Sequence, residues 1–163
     1  MKRNFQVVLS TIVLLSLLVG CAKPSPQEQL KSEKQCAKCD LQNVDLSQAD
    51  LKKAQLNGAN LSSANLSQSD LSGALLDSSN LSGTNLQGAN LSAAGLSAAN
   101  FSNANLQGAN LQGAYLRNAD LKGADLTGAN LENADLSEAK IDGAKLDGAK
   151  LTGAIMPDGT VKK

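Results

Sequence analysis

From Cys39 onward the sequence returns to the same residue types every five positions. A helix repeats its faces every 3.6 residues and a strand every 2, so a period of five fits neither. With Leu41 as a centre and steps of five to Met156, there are 24 centres; 21 are Leu and the others are Phe101, Ile141 and Met156. Two residues before the centre, 19 of 24 positions are Ala, the exceptions being Cys39, Val44, Ser69, Ser79 and Thr84. The residue just before the centre is Asn or Asp in 16 of 24 units, and two residues after it Gly is the commonest choice, in 11 of 24. One solution is a coil whose corners recur every five residues. Leu then fills the middle, Ala fits where two walls come close, and Gly or Asn tolerates positive φ at the corner. Stacked coils bury a continuous Leu column that no single unit could bury alone. Each buried Leu is worth roughly 1.5–3 kcal/mol, so a large core forms from Leu alone. That matters in a chain with one Tyr, two Phe and no Trp.

Units such as Ala59-Asn60-Leu61 and Ala109-Asn110-Leu111 resemble the pentapeptide-repeat family, whose motif is Ala-Asp/Asn-Leu-x-x, and the resemblance covers about 120 of the 163 residues. It implies an all-β solenoid over residues 39–156: a right-handed, quadrilateral β-helix with four pentapeptides per coil. Twenty-four units then give about six coils, a rod roughly 29 Å long at ~4.8 Å between stacked strands. The ending Ala154-Ile155-Met156-Pro157-Asp158-Gly159 looks like the close of such domains, leaving 157–163 as a turn and tail. Pro-Asp-Gly is a turn sequence, and Pro cannot extend a hydrogen-bonded ladder. Stacked Asn side chains are expected to hydrogen-bond between coils. Stacked carboxylates such as Asp50 and Asp70 are expected to repel slightly.

The N-terminus carries a different kind of signal. Lys2 and Arg3 precede an uncharged, mostly apolar stretch from Phe5 to Gly20. It is short for a membrane span, which needs roughly 20 apolar residues, and reads as a secretory signal. Leu18-Val19-Gly20-Cys21 resembles the lipobox of bacterial lipoproteins. That resemblance implies removal of residues 1–20 and a diacylglycerol on the thiol of Cys21, with residues 21–25 as a tether. With Ala22 after the Cys, the sorting pattern of that family favours the outer membrane, facing the periplasm, in a cell that has one. Ser25-Pro26-Gln27-Glu28 then has the pattern of a helix start. A short helix over about 26–35 is predicted, within a capping segment 26–38 that closes the end of the solenoid.

No feature suggests catalysis. There is no His, which removes the side chain best suited to proton transfer near neutral pH. Cys36 and Cys39 fall in phase with the repeat and are expected to point inward, as a structural disulfide or two buried thiols. A thiol-redox role would require a βαβ context that is absent, and a zinc site would require four ligands. No cofactor, metal or small-molecule substrate is therefore expected. Some cytoplasmic pentapeptide-repeat proteins, the quinolone-resistance group among them, are acidic rods that mimic DNA. Here no residue between Asp77 and Arg117 is charged, and Lys140, Lys145 and Lys150 take the usual Asn/Asp slot. Nucleic-acid mimicry is not expected on such a surface.

In four units the slot before the centre is neither polar nor charged: Leu75, Gly95, Tyr115 and Ile155. They are spaced by multiples of 20, which places all four on one face of a four-per-coil helix. The stripe is either a contact surface or a set of side chains packed flat on the wall. The chain thus reads as a lipid-anchored, non-catalytic protein of the bacterial cell envelope that presents a rigid surface to a protein partner or to itself. A structural spacer is the first alternative and a thiol-redox protein using Cys36 and Cys39 the second.

Overall fold

The computed structural model describes residues 25–163. The expected signal segment, Cys21 and the expected tether up to Pro24 lie outside the described residues.

Each unit turns a corner in the same way. The centre residue, the two after it and the following Ala form a four-residue turn, in which the Ala N–H donates to the centre carbonyl, as from Ala59 to Leu56 at 2.9 Å. The third residue of every such turn from Lys38 to Gly153 has positive φ, as a type II turn requires. Gly is the favoured occupant of such a position, yet 13 of these 24 corners hold another residue, including Gln48, Lys53, Ala93, Ala98 and Glu138. A left-handed residue costs on the order of 1–2 kcal/mol when it carries a Cβ. Hydrogen bonds between coils offset that strain.

Those bonds follow a fixed register. The residue before each centre forms a parallel bridge with the residue twenty positions later, in four ladders that begin at Gln35, Asp40, Asp45 and Asp50. Around each bridge, the centre N–H donates onward, as from Leu61 to the Asn80 carbonyl at 2.7 Å. Asn80 N–H donates back to Ala59 at 2.9 Å, and Gly58 N–H donates to Asp77 at 2.9 Å. No extended strand forms among the described residues, because a corner follows every bridge; the β-pairing is one residue wide on each wall.

The register stacks like on like. The centres from Leu41 to Leu136 are at most 2% exposed, Phe101 included. Side chains of the Asn/Asp column join successive coils, as Asn100 Nδ2 does to Asn80 Oδ1 at 3.2 Å. The Asp50–Asp70 stack is relieved by cations, with Lys34 3.1 Å from Asp50 and Lys52 3.4 Å from Asp70. Three buried polar residues stand in the Ala column. Ser69 Oγ donates to the Leu66 carbonyl at 2.7 Å and Thr84 Oγ1 to Leu61 at 2.8 Å, whereas Ser79 Oγ has no partner.

Helix α1, Pro26–Glu33, covers the N-terminal end. Its start is the predicted capping box: Glu28 N–H donates to Ser25 Oγ at 3.2 Å, and Ser25 N–H donates to Glu28 Oε2 at 2.8 Å. Leu30, fully buried, plugs the Leu column. The helix stops at Glu33, two residues short of the expected end, because Lys34 turns left-handed at φ 56°. Gln35 already pairs with Gln55, and a corner with φ 60° at Lys38 closes Cys36 to Cys39. Solenoid geometry therefore starts at Gln35 rather than at Cys39. Cys36, which is buried, and Cys39, half-buried, are joined as a disulfide across that first corner.

The other end is more open. Ile141, Leu146 and Leu151 are only partly buried, and their N–H groups have no backbone acceptor among the described residues. On these three walls the ladder ends in Lys140, Lys145 and Lys150. A lysine at an unpaired edge discourages another chain from adding a strand. The fourth ladder ends in Ile155, and here the tail folds back after Pro157-Asp158-Gly159 to pair Val161 with it in antiparallel fashion. Lysines thus mark the bare edges, and the apolar Ile155 marks the covered one.

The core makes a paired prediction. Leu91→Asp buries an unpaired charge and should cost several kcal/mol. Ser79→Ala removes an unsatisfied buried hydroxyl and should raise stability by about 1 kcal/mol. Thermal melts followed by circular dichroism should move in opposite directions for the two variants.

Candidate interaction face

On three walls the slot before the centre is filled entirely by Asn, Asp and, at the last position, Lys. There the Asn or Asp side chain accepts the backbone N–H two residues on, as Asn60 Oδ1 does from Ser62 at 3.3 Å and Asn90 Oδ1 from Ser92 at 3.2 Å. The fourth ladder runs Gln35, Gln55, Leu75, Gly95, Tyr115, Asp135, Ile155. Leu75, Gly95 and Tyr115 have no side-chain acceptor in reach of their own backbone, so this local cap is lost on three successive coils. It is replaced from the neighbouring coil at two of them. Asp77 N–H donates to Asn57 Oδ1 at 3.1 Å, and Ser97 N–H to Asp77 Oδ1 at 2.9 Å. Asp135 restores the local cap, accepting from Ser137 N–H at 3.0 Å.

The apolar residues of this wall are exposed: Leu75 by 42% and Tyr115 by 58%. Between them Gly95 leaves a gap in the column, and a recess of about 430 Å³ opens over it, lined by Asp77, Gly95, Ser97, Tyr115, Arg117 and Asp135. Ile155 stands apart from the other three. Asp135 intervenes in the ladder, and Ile155 is partly buried and pairs with Val161 of the returning tail. The covering tail accounts for its apolar character, so the stripe is contiguous only from Leu75 to Tyr115.

The wall is also less apolar than its sequence implies. Asp77 and Arg117, which bound the uncharged run, are 40 residues apart, which is two coils. Both therefore return to the same wall, one residue past its centres, and Arg117 reaches Asp135 at 3.2 Å. Asp77, Ser97, Arg117 and Asp135 are the residues that linear reading missed, although the spacing of 40 was the signal that could have found them. Among the described residues no group of Cys, Asp and Glu is placed to hold a metal ion.

A family profile for pentapeptide repeats matches in eight copies, spanning residues 39–77, 54–92, 94–133 and 114–153. The chain belongs to the pentapeptide-repeat family. A pentapeptide-repeat protein from the Arabidopsis thaliana thylakoid lumen is similar at 30% identity, over 72% of this chain and 77% of that one, with a TM-score of 0.60. A trypsin-treated variant of QnrB1, a plasmid-mediated fluoroquinolone resistance protein, shares the fold at 18% identity, over 75% and 64% of the two chains, with a TM-score of 0.53. A comparison with curated protein sequences finds no match. Pentapeptide-repeat proteins are generally non-catalytic. In this member the apolar departures from the Asn/Asp slot, Leu75, Gly95, Tyr115 and Ile155, lie on one wall.

The charges of that wall can be checked directly. The hydroxyl and N–H of Ser137, and then the Arg117 guanidinium, hold the Asp135 carboxyl below its ordinary value of 3.8. A depressed carboxylate contributes stability above the unfolded-state value and loses it as pH falls through the folded-state value. The Arg117–Asp135 contact should therefore persist at pH 5 and weaken only below about pH 4. A carbon-13 NMR titration should find the Asp135 midpoint under 3.8, and Arg117→Gln should move it upward.

Proposed function

We propose that this pentapeptide-repeat protein is a non-catalytic lipoprotein of the bacterial cell envelope, whose solenoid presents a rigid surface for protein–protein interaction. The observation that carries this reading is the contrast between walls. Three offer only Asn, Asp and Lys in the outward slot, while the fourth exposes Leu75 and Tyr115 beside the bare backbone of Gly95. Tyr gives a large contact area and one hydroxyl at low entropic cost, which suits an interface anchor. Rigidity follows from the coil register, which we take to wind a right-handed quadrilateral rod of about six coils. A partner docking on such a rod has little backbone to order and loses correspondingly less entropy. The partner is a separate protein or a second copy of the chain.

The location rests on the N-terminal sequence. An uncharged apolar stretch after Lys2 and Arg3 and ending at Cys21 supports export, lipidation and retention at a membrane, in the outer membrane facing the periplasm where one exists. Burial of Cys36 supports a structural pairing with Cys39 over thiol exchange, which requires access to the attacked sulfur.

Two experiments test this reading. Mass spectrometry of the membrane form should show loss of residues 1–20 and acyl chains on Cys21, and Cys21→Ser should accumulate as unprocessed precursor. Normal cleavage of that variant to a soluble product rules out the anchor. Replacing Leu75 and Tyr115 together by Asn restores the motif of the other walls and should leave the fold intact. Chemical cross-linking in membranes should then lose the products formed by the wild type. Identical cross-linking of a folded double variant rules out this wall as the interaction surface.

A further inference from the structure

The recess over Gly95 has a defined chemistry. Gly95 omits a side chain from a column where Leu75 stands one coil before it and Tyr115 one coil after. The backbones of Leu75 and Tyr115 are therefore two coil spacings apart, about 9–10 Å; Leu75 leans against Gly95 from one side, and the recess opens on the other side, towards the Tyr115 ring. Asp77 reaches into it from the side. A Cβ on Gly95 would lie 3.2 Å from Asp77 Oδ2 and 3.5 Å from Leu75 Cδ2, so the carboxylate occupies the edge of the space that a motif Asn would fill.

The two oxygens of Asp77 are not equivalent. Oδ1 accepts the Ser97 N–H at 2.9 Å, which holds the carboxylate in place. Oδ2 accepts no hydrogen bond among the described residues and faces the recess. The other charges there are already matched, since Arg117 pairs with Asp135. With two carboxylates and one guanidinium lining it, the recess carries one uncompensated negative charge, located at Asp77. A single free carboxylate oxygen is too little for a divalent cation, which takes six or more oxygen ligands. An acidic or phosphorylated group would meet Asp77 and Asp135 and be repelled.

We propose that this recess is a binding site for an arginine side chain protruding from a partner protein. The aliphatic stem lies along Leu75 and the bare backbone of Gly95, as long cationic side chains do on apolar surface. The guanidinium donates to Asp77 Oδ2 and stacks against the Tyr115 ring, a geometry that suits arginine better than the compact ammonium of lysine. The charge-assisted bond supplies specificity, while the apolar contacts exclude water around it. This assignment rests on the interaction wall described above and names what that wall recognises.

The probe is N-acetyl-arginine-methylamide, titrated into the nitrogen-15-labelled full chain in detergent micelles and read by NMR at the Gly95, Ser97 and Tyr115 amides. Saturable shifts confined to these residues are expected. Binding of N-acetyl-norleucine-methylamide, which keeps an aliphatic stem and lacks the guanidinium, should be at least fivefold weaker. Asp77→Asn keeps the oxygen that accepts from Ser97 and removes the charge; it should weaken the arginine probe at least fivefold and leave the norleucine probe unchanged. Gly95→Asn fills the recess and should abolish both responses, with circular dichroism confirming that each variant is folded. Equal binding of the two probes, shifts scattered over other walls, or full binding to Asp77→Asn overturns the proposal. If arginine selectivity fails while cross-linking still depends on Leu75 and Tyr115, the recess is wrong and the wall stands. If arginine selectivity holds while cross-linking is indifferent to the wall, the recess stands as a site and the wall fails as the cross-linked surface.

Discussion

The hydrogen bond from each centre N–H up to Leu136 to a carbonyl nineteen residues on, as from Leu46 to Asn65 and from Leu106 to Asp125, is the interaction on which the rest depends. It fixes which residues become neighbours. A slip of five would still place Leu on Leu and Ala on Ala, so the core by itself tolerates it. What it would destroy is the vertical alignment of everything outside the core. The Asn ladder would meet Tyr115, Ser97 N–H would lose Asp77, and the recess over Gly95 would have no walls.

The same register explains how the chain sustains strained corners. Thirteen non-glycine residues sit at positive φ in these corners, a conformation that an isolated pentapeptide would rarely hold. In the solenoid the corner N–H donates to the next coil, as Lys53 does to Ser72 at 3.0 Å and Ala98 does to Arg117 at 2.9 Å. The bond exists only in the left-handed geometry of the stack, so local strain and long-range pairing are formed together. Stability is a sum over neighbouring coils, and the ends must be treated separately. Here they are treated differently: α1 with Leu30 at one end, and at the other three edge lysines and a folded-back tail.

Placing the apolar exceptions of the Asn/Asp slot on one wall is what gives this rod a sidedness. Loss of the Asn or Asp cap at Leu75, Gly95 and Tyr115 leaves backbone N–H groups to be satisfied by other means, and Asn57 and Asp77 take over that role for two of them from adjacent coils. Asp77 is thereby held rigid, with one oxygen turned outward. A residue that mends the backbone also supplies the wall with its free charge, so the fold and the candidate site share one side chain.

Sequence alone determined the period, the inward Leu and Ala columns, the Ser25 capping box and the alignment of Leu75, Gly95 and Tyr115, because each depends on residue type at short or strictly regular spacing. It also marked Cys36 and Cys39 as inward-facing, one at a centre and one in the Ala column. It did not reveal the charge of the wall: the uncharged run from 78 to 116 looks continuous along the chain, yet Asp77 and Arg117 close onto one face because 40 residues make two coils. It grouped Ile155 with the stripe on one face, whereas in the structure Ile155 pairs with the returning Val161. Only the tertiary structure decided these points, since they depend on which residues of different coils come within hydrogen-bonding distance, and a linear pattern of types does not record where a side chain's free oxygen points.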